Sequence, residues 1–328
     1  MKAIVYRTYG SPDVLEFKEV EKPVPKENEI LIKVHAAAAN PFDWHHMRGV
    51  PFLVRLEDGL LKPKDPMLGA DIAGRVEAVG RNVKEFQPGD EVYGAWTGSF
   101  AEYTSVPENR VALKPTNCSF EEAAAIPLAA ITALQGLRDK GQIQSGQKVL
   151  VNGASGGVGT FAVQIARSFG AEVTGVCSTR NLDLVRSIGA DHVIDYTQED
   201  FTKNGQHYDL IYDAVGNRSV SDYKHALNPN GTCVIAGFQN LLRLFEHMVL
   251  GPLRSKTGNK KVGRMGTAKM NQKDLVYVKE LLEAGKVVPV IDRRYPLRET
   301  ASAIRYLEEG HARGKVIIMV EQNNNTSQ

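Results

Sequence analysis

The spacing of apolar residues changes character once along the chain. Up to about residue 118 they recur at every second position in short runs, AIVYR, VLEFKEV, EILIKVHAAAAN, DIAGRVEAVG, DEVYGAW and AEYTSVP, separated by turn-forming residues. A period of two puts successive side chains on opposite faces of a strand, so this part predicts several short strands in a compact β-barrel. From Ser119 the period lengthens. FEEAAAIPLAAITALQGL carries apolar residues at helical spacing, and Pro127, which lacks the N–H a helix interior needs, predicts a break between two helices.

Strands and helices then alternate. Strands are predicted at residues 149–151, 172–177, 192–195, 210–213 and 232–236, interleaved with helices beginning near Val158, over 182–188 and around 220–226. Such alternation builds a parallel sheet covered by helices, so the expected fold class is α/β: a β-barrel domain plus a doubly wound sheet. A helix near 274–284, the segment VVPVIDRRYPL, a helix at 299–309 and the strand KVIIMV close the chain.

The clearest chemistry lies in KVLVNGASGGVGTFAVQIARSFGAEVTGVCSTR. Gly153, Gly156, Gly157 and Gly159 follow a strand and lead into a helix whose apolar positions Phe161, Ala162, Ile165 and Ala166 keep helical spacing. Glycine tolerates positive φ and has no Cβ. A pyrophosphate can therefore approach the backbone of 153–159, Ser155 and Val158 included, and meet the N–H groups at the helix start. The spacing is GxxGxxG, not GxGxxG, and a tight strand-to-helix turn without ligand is the alternative; the second strand that follows is the context a dinucleotide site requires.

After that second strand come Cys177, Ser178, Thr179 and Arg180. An NAD site places a carboxylate there for the ribose 2′-hydroxyl, whereas two hydroxyls and a guanidinium suit a 2′-phosphate, so NADP(H) is the expected cofactor. A helix N-cap at Ser178 or Thr179 is the competing reading. Ala214, Val215 and Gly216, and then Gly237 and Phe238, follow later strands at the carboxyl edge of the sheet and are the candidates to flank a nicotinamide. Asp213 reads as a turn cap.

Composition narrows the function classes. The 328 residues give room for two cores, and the net charge of +2 is too small to imply a nucleic-acid partner. No apolar run approaches the ~20 residues of a membrane-spanning helix. Met1 leads directly into KAIVYR without an apolar leader, so a cytoplasmic location is expected. Cys118, Cys177 and Cys233 lie far apart, with neither paired nor zinc-ribbon spacing, and read as small buried residues. The polar terminal EQNNNTSQ is expected to fray.

Beyond Gly237 the segment LLRLFEHMVLGPLRSKTGNKKVGRMGTAKM joins an amphipathic opening to a basic stretch. Leu241, Leu244, Phe245 and Met248 fall on one helical face, and Arg254, Lys256, Lys260, Lys261 and Arg264 follow. A lid is one reading. A core-packed helix with a solvated charge run is the expected one, and peripheral membrane contact is not expected.

AAAANPFDWHHMRG, PMLGADIAGRVEAVGRNVKEFQPGDEVYG, FAEYTSVP, IPLAAITALQGL, VNGASGGVG, GADHVIDY and RRYPLRETASAIRYLEEGHARGKVII are spread over nearly the whole chain. Together they resemble the medium-chain dehydrogenase/reductase superfamily, specifically its quinone-oxidoreductase-like branch. The resemblance implies a GroES-like catalytic domain formed by residues 1–118 and 266–328, a Rossmann NADP(H)-binding domain at 119–265, and a homodimer or other homo-oligomer. It implies that Asn40 lines the catalytic site, that His45 stands where many relatives have a tyrosine, that Tyr196 lies near the adenosine phosphate, and that Thr132 and Lys315 approach the nicotinamide half. Ordinary helix, turn and packing roles compete for His45, Tyr196, Thr132 and Lys315. Asp43 reads as organising its own loop.

Zinc-dependent members carry a ligating cysteine in the segment corresponding to AAAANPFDWHH and Gly-His-Glu where this chain has Gly69, Ala70 and Asp71. They also carry a four-cysteine lobe, and here no cysteine precedes Cys118. No metal is expected. Without a Lewis acid the resemblance implies hydride transfer from NADPH to a quinone or α,β-unsaturated carbonyl, whose conjugation spreads the arriving charge, with His45 as a candidate proton shuttle. An alcohol or aldehyde dehydrogenase and an NADPH-binding module with little turnover are the alternatives.

Overall fold

The computed structural model describes residues 1–255 and 259–320, with side chains for 1–249 and 259–320. The terminal EQNNNTSQ and Lys256 lie outside the described residues, as does the side chain of Arg254. The chain divides into two compact units, one formed by Met1–Leu128, Met270–Glu283 and Pro289–Gln328, the other by Ala129–Lys269 and Ala284–Val288.

In the first unit β1 (Lys2–Val5) pairs antiparallel with β2 (Glu16–Glu19). Then come β3 (Glu29–Ala39), α1 (Pro41–Arg48), α2 (Leu53–Asp58), β4 (Asp71–Val79), β5 (Glu91–Ala95), β6 (Tyr103–Pro107), β7 (Val111–Leu113) and α3 (Phe120–Ala124). Helix α4 (Pro127–Gln135) leads into the second unit, with Pro127 at its start as the sequence predicts. There follow β8 (Lys148–Asn152), α5 (Gly157–Ser168), β9 (Glu172–Cys177), α6 (Leu182–Ser187), β10 (His192–Asp195), β11 (Tyr208–Asp213), α7 (Val220–Ala226), β12 (Leu227–Ile235), α8 (Leu241–Ser255) and β13 (Lys261–Arg264). The chain returns to the first unit as α9 (Gln272–Glu283), β14 (Ile291–Pro296), α10 (Thr300–Glu308) and β15 (Lys315–Met319).

The first unit is built on β3. Its sheet runs β14-β15-β3-β4-β5-β7, with β6 also on β3. Ala36 to Ala39 are at most 2% exposed. Their small side chains let β3 lie against β15 through Ala39↔Val316 and against β4 through Ala38↔Asp71. Ile30, Ile32, Val34, Ile72, Val92 and Ile318 form the buried core, each contributing roughly 1.5–3 kcal/mol by leaving water.

The second unit is a parallel sheet in the order β10-β9-β8-β11-β12-β13, the doubly wound arrangement in which the order reverses between β8 and β11. Val149, Leu150 and Val151 are fully buried, as a strand covered on both faces requires. Strand β13 was not legible: of its four residues only Val262 is buried, so no period marks it, and pairing with β12 decides it. The expected core packing of α8 is overturned, since Leu241, Phe245 and Met248 are 55, 67 and 52% exposed. Its polar side chains take the inward positions because they have backbone partners there.

Within the first unit the hydroxyl of buried Tyr93 on β5 donates to the Leu275 carbonyl of α9 at 2.6 Å. Tyr93→Phe is expected to lose about 1–2 kcal/mol and lower the thermal midpoint by a few degrees, with dinucleotide affinity unchanged. Calorimetry with a parallel fluorescence titration checks both.

Candidate functional site

The glycine turn leaves the end of β8 with one unusual torsion. Gly153 alone of its four glycines has positive φ, +80°, which narrows the expectation that all four exploit that freedom. A Cβ on Gly159 would fall 2.0 Å from the Gly153 carbonyl oxygen, and one on Gly153 would fall 2.7 Å from Val215 Cγ2. These two glycines let helix, turn and neighbouring loop close on one another. Gly156 differs, because a Cβ there would meet nothing nearer than that carbonyl oxygen at 3.4 Å. No side chain caps α5, so the positive end of the helix at Gly157 and Val158 is open to an anion.

A residue that the sequence reading missed ties this turn to the end of β9. Buried Asn181 donates to Ser155 Oγ at 3.0 Å and to Ser178 Oγ at 3.1 Å, which leaves both serine protons available for donation. Its own Oδ1 is buried without a partner among the described residues. Glycine cradle, bare helix end and serine donors fit a dinucleotide phosphate. The 2′ corner is less cationic than expected: Thr179 donates to Asp195 at 2.5 Å, and that hydrogen bond, with help from Thr197, holds the Asp195 carboxyl below its ordinary range. The sequence hid this carboxylate because it arrives from the next strand, where Asp195 pairs in register with Cys177. Arg180 and Tyr196 are exposed beside it.

At the carboxyl edge Asp213 organises the later turns. Its Oδ1 accepts from the N–H groups of Val215 and Gly216, both at 2.7 Å, and its Oδ2 from Tyr223 at 2.5 Å and Asn152 at 3.0 Å. Gly216 has φ +68°, and a Cβ on it would fall 2.5 Å from Gly237 O; one on Gly237 would fall 2.2 Å from Ala214 O. The turns at 214–216 and 237–238 therefore touch through bare backbone, and Val215 reaches Gly153. Arg264 donates to Gly237 O at 3.3 Å and lies 5.7 Å from the Phe238 ring. The sequence places Arg264 only in a basic run, because β13 was not legible. The Thr132 carbonyl accepts from the Tyr212 hydroxyl at 3.2 Å.

The first unit brings Asn40 and Lys315 together. Lys315, 3% exposed, donates to Asn40 Oδ1 at 2.5 Å and to Asp71 Oδ2 at 2.9 Å. Asn40 Nδ2 donates to Ala38 O and to Asp71 Oδ2, both at 3.0 Å, and the N–H of Leu128 donates to Asp71 Oδ1 at 2.8 Å. Every polar group of the Asn40 amide is engaged, so a ligand reaches it only if one of these bonds yields. Asp43 accepts from the Asn40 backbone N–H at 2.7 Å, while its Oδ1 is buried without a partner among the described residues. Burial pushes the Asp43 carboxyl up to about 7; the Asn40 N–H and Lys315 oppose that shift and the Asp71 charge adds to it.

This donor set does not fit zinc. The Asp71 carboxylate is bonded to an ammonium, and among the described residues no group of three or more His, Cys, Asp or Glu could hold a metal. His45 lies elsewhere on α1. Its Nδ1 is 2.7 Å from the Val50 carbonyl, so that nitrogen carries the proton, and burial first of all lowers its pKa.

Residues 26–116 match the family described as "Alcohol dehydrogenase GroES-like domain", and 188–318 the one described as "Zinc-binding dehydrogenase". The chain is 39% identical to 2-methylene-furan-3-one reductase of Solanum lycopersicum, over 97% of this chain and 79% of that one. It is 36% identical to an NADPH-dependent alkenal/one oxidoreductase, chloroplastic, of Arabidopsis thaliana, with the same two coverages, 97% and 79%. Among solved structures the quinone oxidoreductase from Coxiella burnetii superposes with a TM-score of 0.85 at 29% identity, over 98% of this chain and 99% of that one.

Two stability measurements test the buried network. Lys315→Met strands Asp71 and is expected to cost about 3–5 kcal/mol, most of it recovered when Asp71→Asn is added. Asp43 ionises near 3.8 when unfolded and near 7 when folded, so its contribution is complete below about pH 4 and is lost as the pH rises through 7. Denaturant midpoints between pH 4 and 8 should show that decline in the parent and not in Asp43→Asn; parallel curves would reject the assignment.

Proposed function

The chain belongs to the medium-chain dehydrogenase/reductase superfamily, among its quinone and alkenal oxidoreductases, and on that premise we propose that it reduces conjugated carbonyl compounds with NADPH and without zinc. The observation that carries the metal-free reading is the Lys315 ammonium seated on Asp71. With that ammonium on it, the Asp71 carboxylate is not free for a metal.

Bound NADPH would supply the hydride. The backbone of 153–159 with Ser155 would hold the pyrophosphate, and Ser178, Thr179 and Arg180 the 2′-phosphate, with Tyr196 beside the adenosine. The touching turns 214–216 and 237–238, with Phe238 steadied by Arg264, would present backbone groups to the nicotinamide, and Thr132 belongs to that half. Conjugation carries negative charge onto the substrate oxygen, so the chain's task is orientation and charge stabilisation. Lys315 takes the charge-stabilising part, with two of three ammonium protons engaged and one left to donate, and Asn40, whose amide is committed to Lys315, Ala38 and Asp71, takes the orienting part. His45, neutral with its Nδ1 proton committed to Val50, works as a shuttle only after Nε2 gains a proton, so its participation falls as pH rises.

Two finer points belong to the same reading. The homodimer rests on the family resemblance. No described helix is long and apolar enough to cross a membrane, which is compatible with a cytoplasmic setting.

NADPH oxidation against quinones, enones, enals and simple aldehydes tests the proposal, with metal content assayed on the same preparation. Turnover of conjugated acceptors insensitive to chelators is expected, with NADPH preferred over NADH. Ser178→Ala is expected to raise KM for NADPH about tenfold and leave that for NADH unchanged, since one charge-assisted hydrogen bond is lost. Activity confined to simple aldehydes with stoichiometric zinc would replace this reading with the alcohol dehydrogenase one, and cofactor binding without turnover would replace it with a binding module.

A further inference from the structure

Two helices turn apolar side chains outward. On α8 the polar Glu246 and His247 face inward, to the Val220 N–H and the Arg218 carbonyl. Helix α2 does the same in the first unit, beside the Asn40 and Lys315 site. Its polar side chains tie it down. Arg55 donates to the Gly49 carbonyl at 3.1 Å and lies 4.6 Å from the Tyr9 ring, and Asp58 is hydrogen-bonded to His46 of α1. The Tyr9 hydroxyl holds the turn that follows by donating to the Gly59 carbonyl at 2.6 Å. Phe52, Leu53 and Leu56, at helical spacing, and Leu60 and Leu61 just beyond are 62, 58, 57, 55 and 92% exposed. A group of large apolar side chains held in water on a fixed backbone marks a binding surface.

Continuity, charge and size choose its occupant. Helix α1 starts at the Asn40 cap and is about 12 Å long at 1.5 Å per residue, and α2 packs against it. Phe42, in the first turn of α1 and 41% exposed, has its ring centroid 3.9 Å from that of His46, the residue bonded to α2. Phe42 and His46 thus join the Asn40 end of α1 to α2. Residues 50–66 carry Arg55, Lys62 and Lys64 against Glu57, Asp58 and Asp65, a net charge of zero, which favours neither a charged headgroup nor a charged partner. Five side chains also fall far short of the roughly 20–30 residues a side of a stable protein interface. They suit one hydrocarbon chain.

We propose that α2 and the turn after it bind the hydrocarbon tail of the acceptor, so that the preferred substrates are conjugated carbonyl compounds with a long, uncharged alkyl or alkenyl substituent. The inference rests on the conjugated-carbonyl reading above. The carbonyl lies at Asn40 and Lys315, and the tail follows α1 past Phe42 to Phe52, Leu53 and Leu56.

The test measures kcat/KM with NADPH for straight-chain vinyl ketones of about four to about twelve carbons. It is expected to rise about twofold per methylene, chiefly through KM, as half-burial of each CH2 requires. Leu53→Ser combined with Leu56→Ser is expected to lower the ratio of the longest to the shortest acceptor about tenfold. A second arm needs no turnover: in Phe52→Trp the indole emission is expected to shift to the blue on adding 2-dodecanone without NADPH, and not on adding 2-butanone. A series flat with tail length, a rise that survives the two serines, or no shift with 2-dodecanone overturns the proposal. No turnover of any acceptor, with the shift present, would sink the conjugated-carbonyl reading and support the apolar-chain surface. A dimer lost in the serine variant together with a flat series overturns the proposal in favour of a second copy.

Discussion

A lysine ammonium taken out of water is stable only when it is paired, and Lys315 is paired twice, to Asp71 and to Asn40. Much of the first unit answers that requirement. The three residues come from β15, β4 and the end of β3, and the strand register sets them side by side. The alanines of β3 keep those strands close enough for direct bonds, and Asp43 caps the helix that follows. The arrangement ties the last strand of the chain to the first half of the sheet. It also commits the Asp71 carboxylate to an ammonium, so that this carboxylate is not free to ligate a metal.

The second unit solves a different problem, that of exposing backbone at the edge of a buried sheet. Gly153, Gly159, Gly216 and Gly237 each sit where a Cβ would strike a neighbouring backbone or side chain, and Asp213 satisfies the N–H groups that the tight turn after β11 would otherwise orphan. The outcome is a continuous edge of main chain running from the glycine turn to Gly237. Asn181 extends it sideways to Ser178.

Helix α8 shows the same accounting of polar groups with the opposite result. Backbone donors and acceptors at Val220 and Arg218 take the polar side chains inward, and the apolar ones are left facing out. Periodicity alone cannot separate this case from a core helix, because both have the same hydrophobic stripe.

The sequence by itself determined the fold class, the strand–glycine–helix unit and almost every long element, because two-fold and helical periods and glycine at close approaches are local properties. The family motifs marked Asn40 and Lys315, and the strand ends at the carboxyl edge marked the turns at 214–216 and 237–238. Only the tertiary structure decided that Asn40 and Lys315 share Asp71, that Asp43 is a buried acid with a raised pKa, that Asp195 stands beside Thr179, and that Asn181 and Arg264 brace the two ends of the cofactor edge. Each of these depends on which strand lies next to which and in what register. Pairing between strands far apart in sequence brings such groups within hydrogen-bonding distance, and no local spacing encodes it.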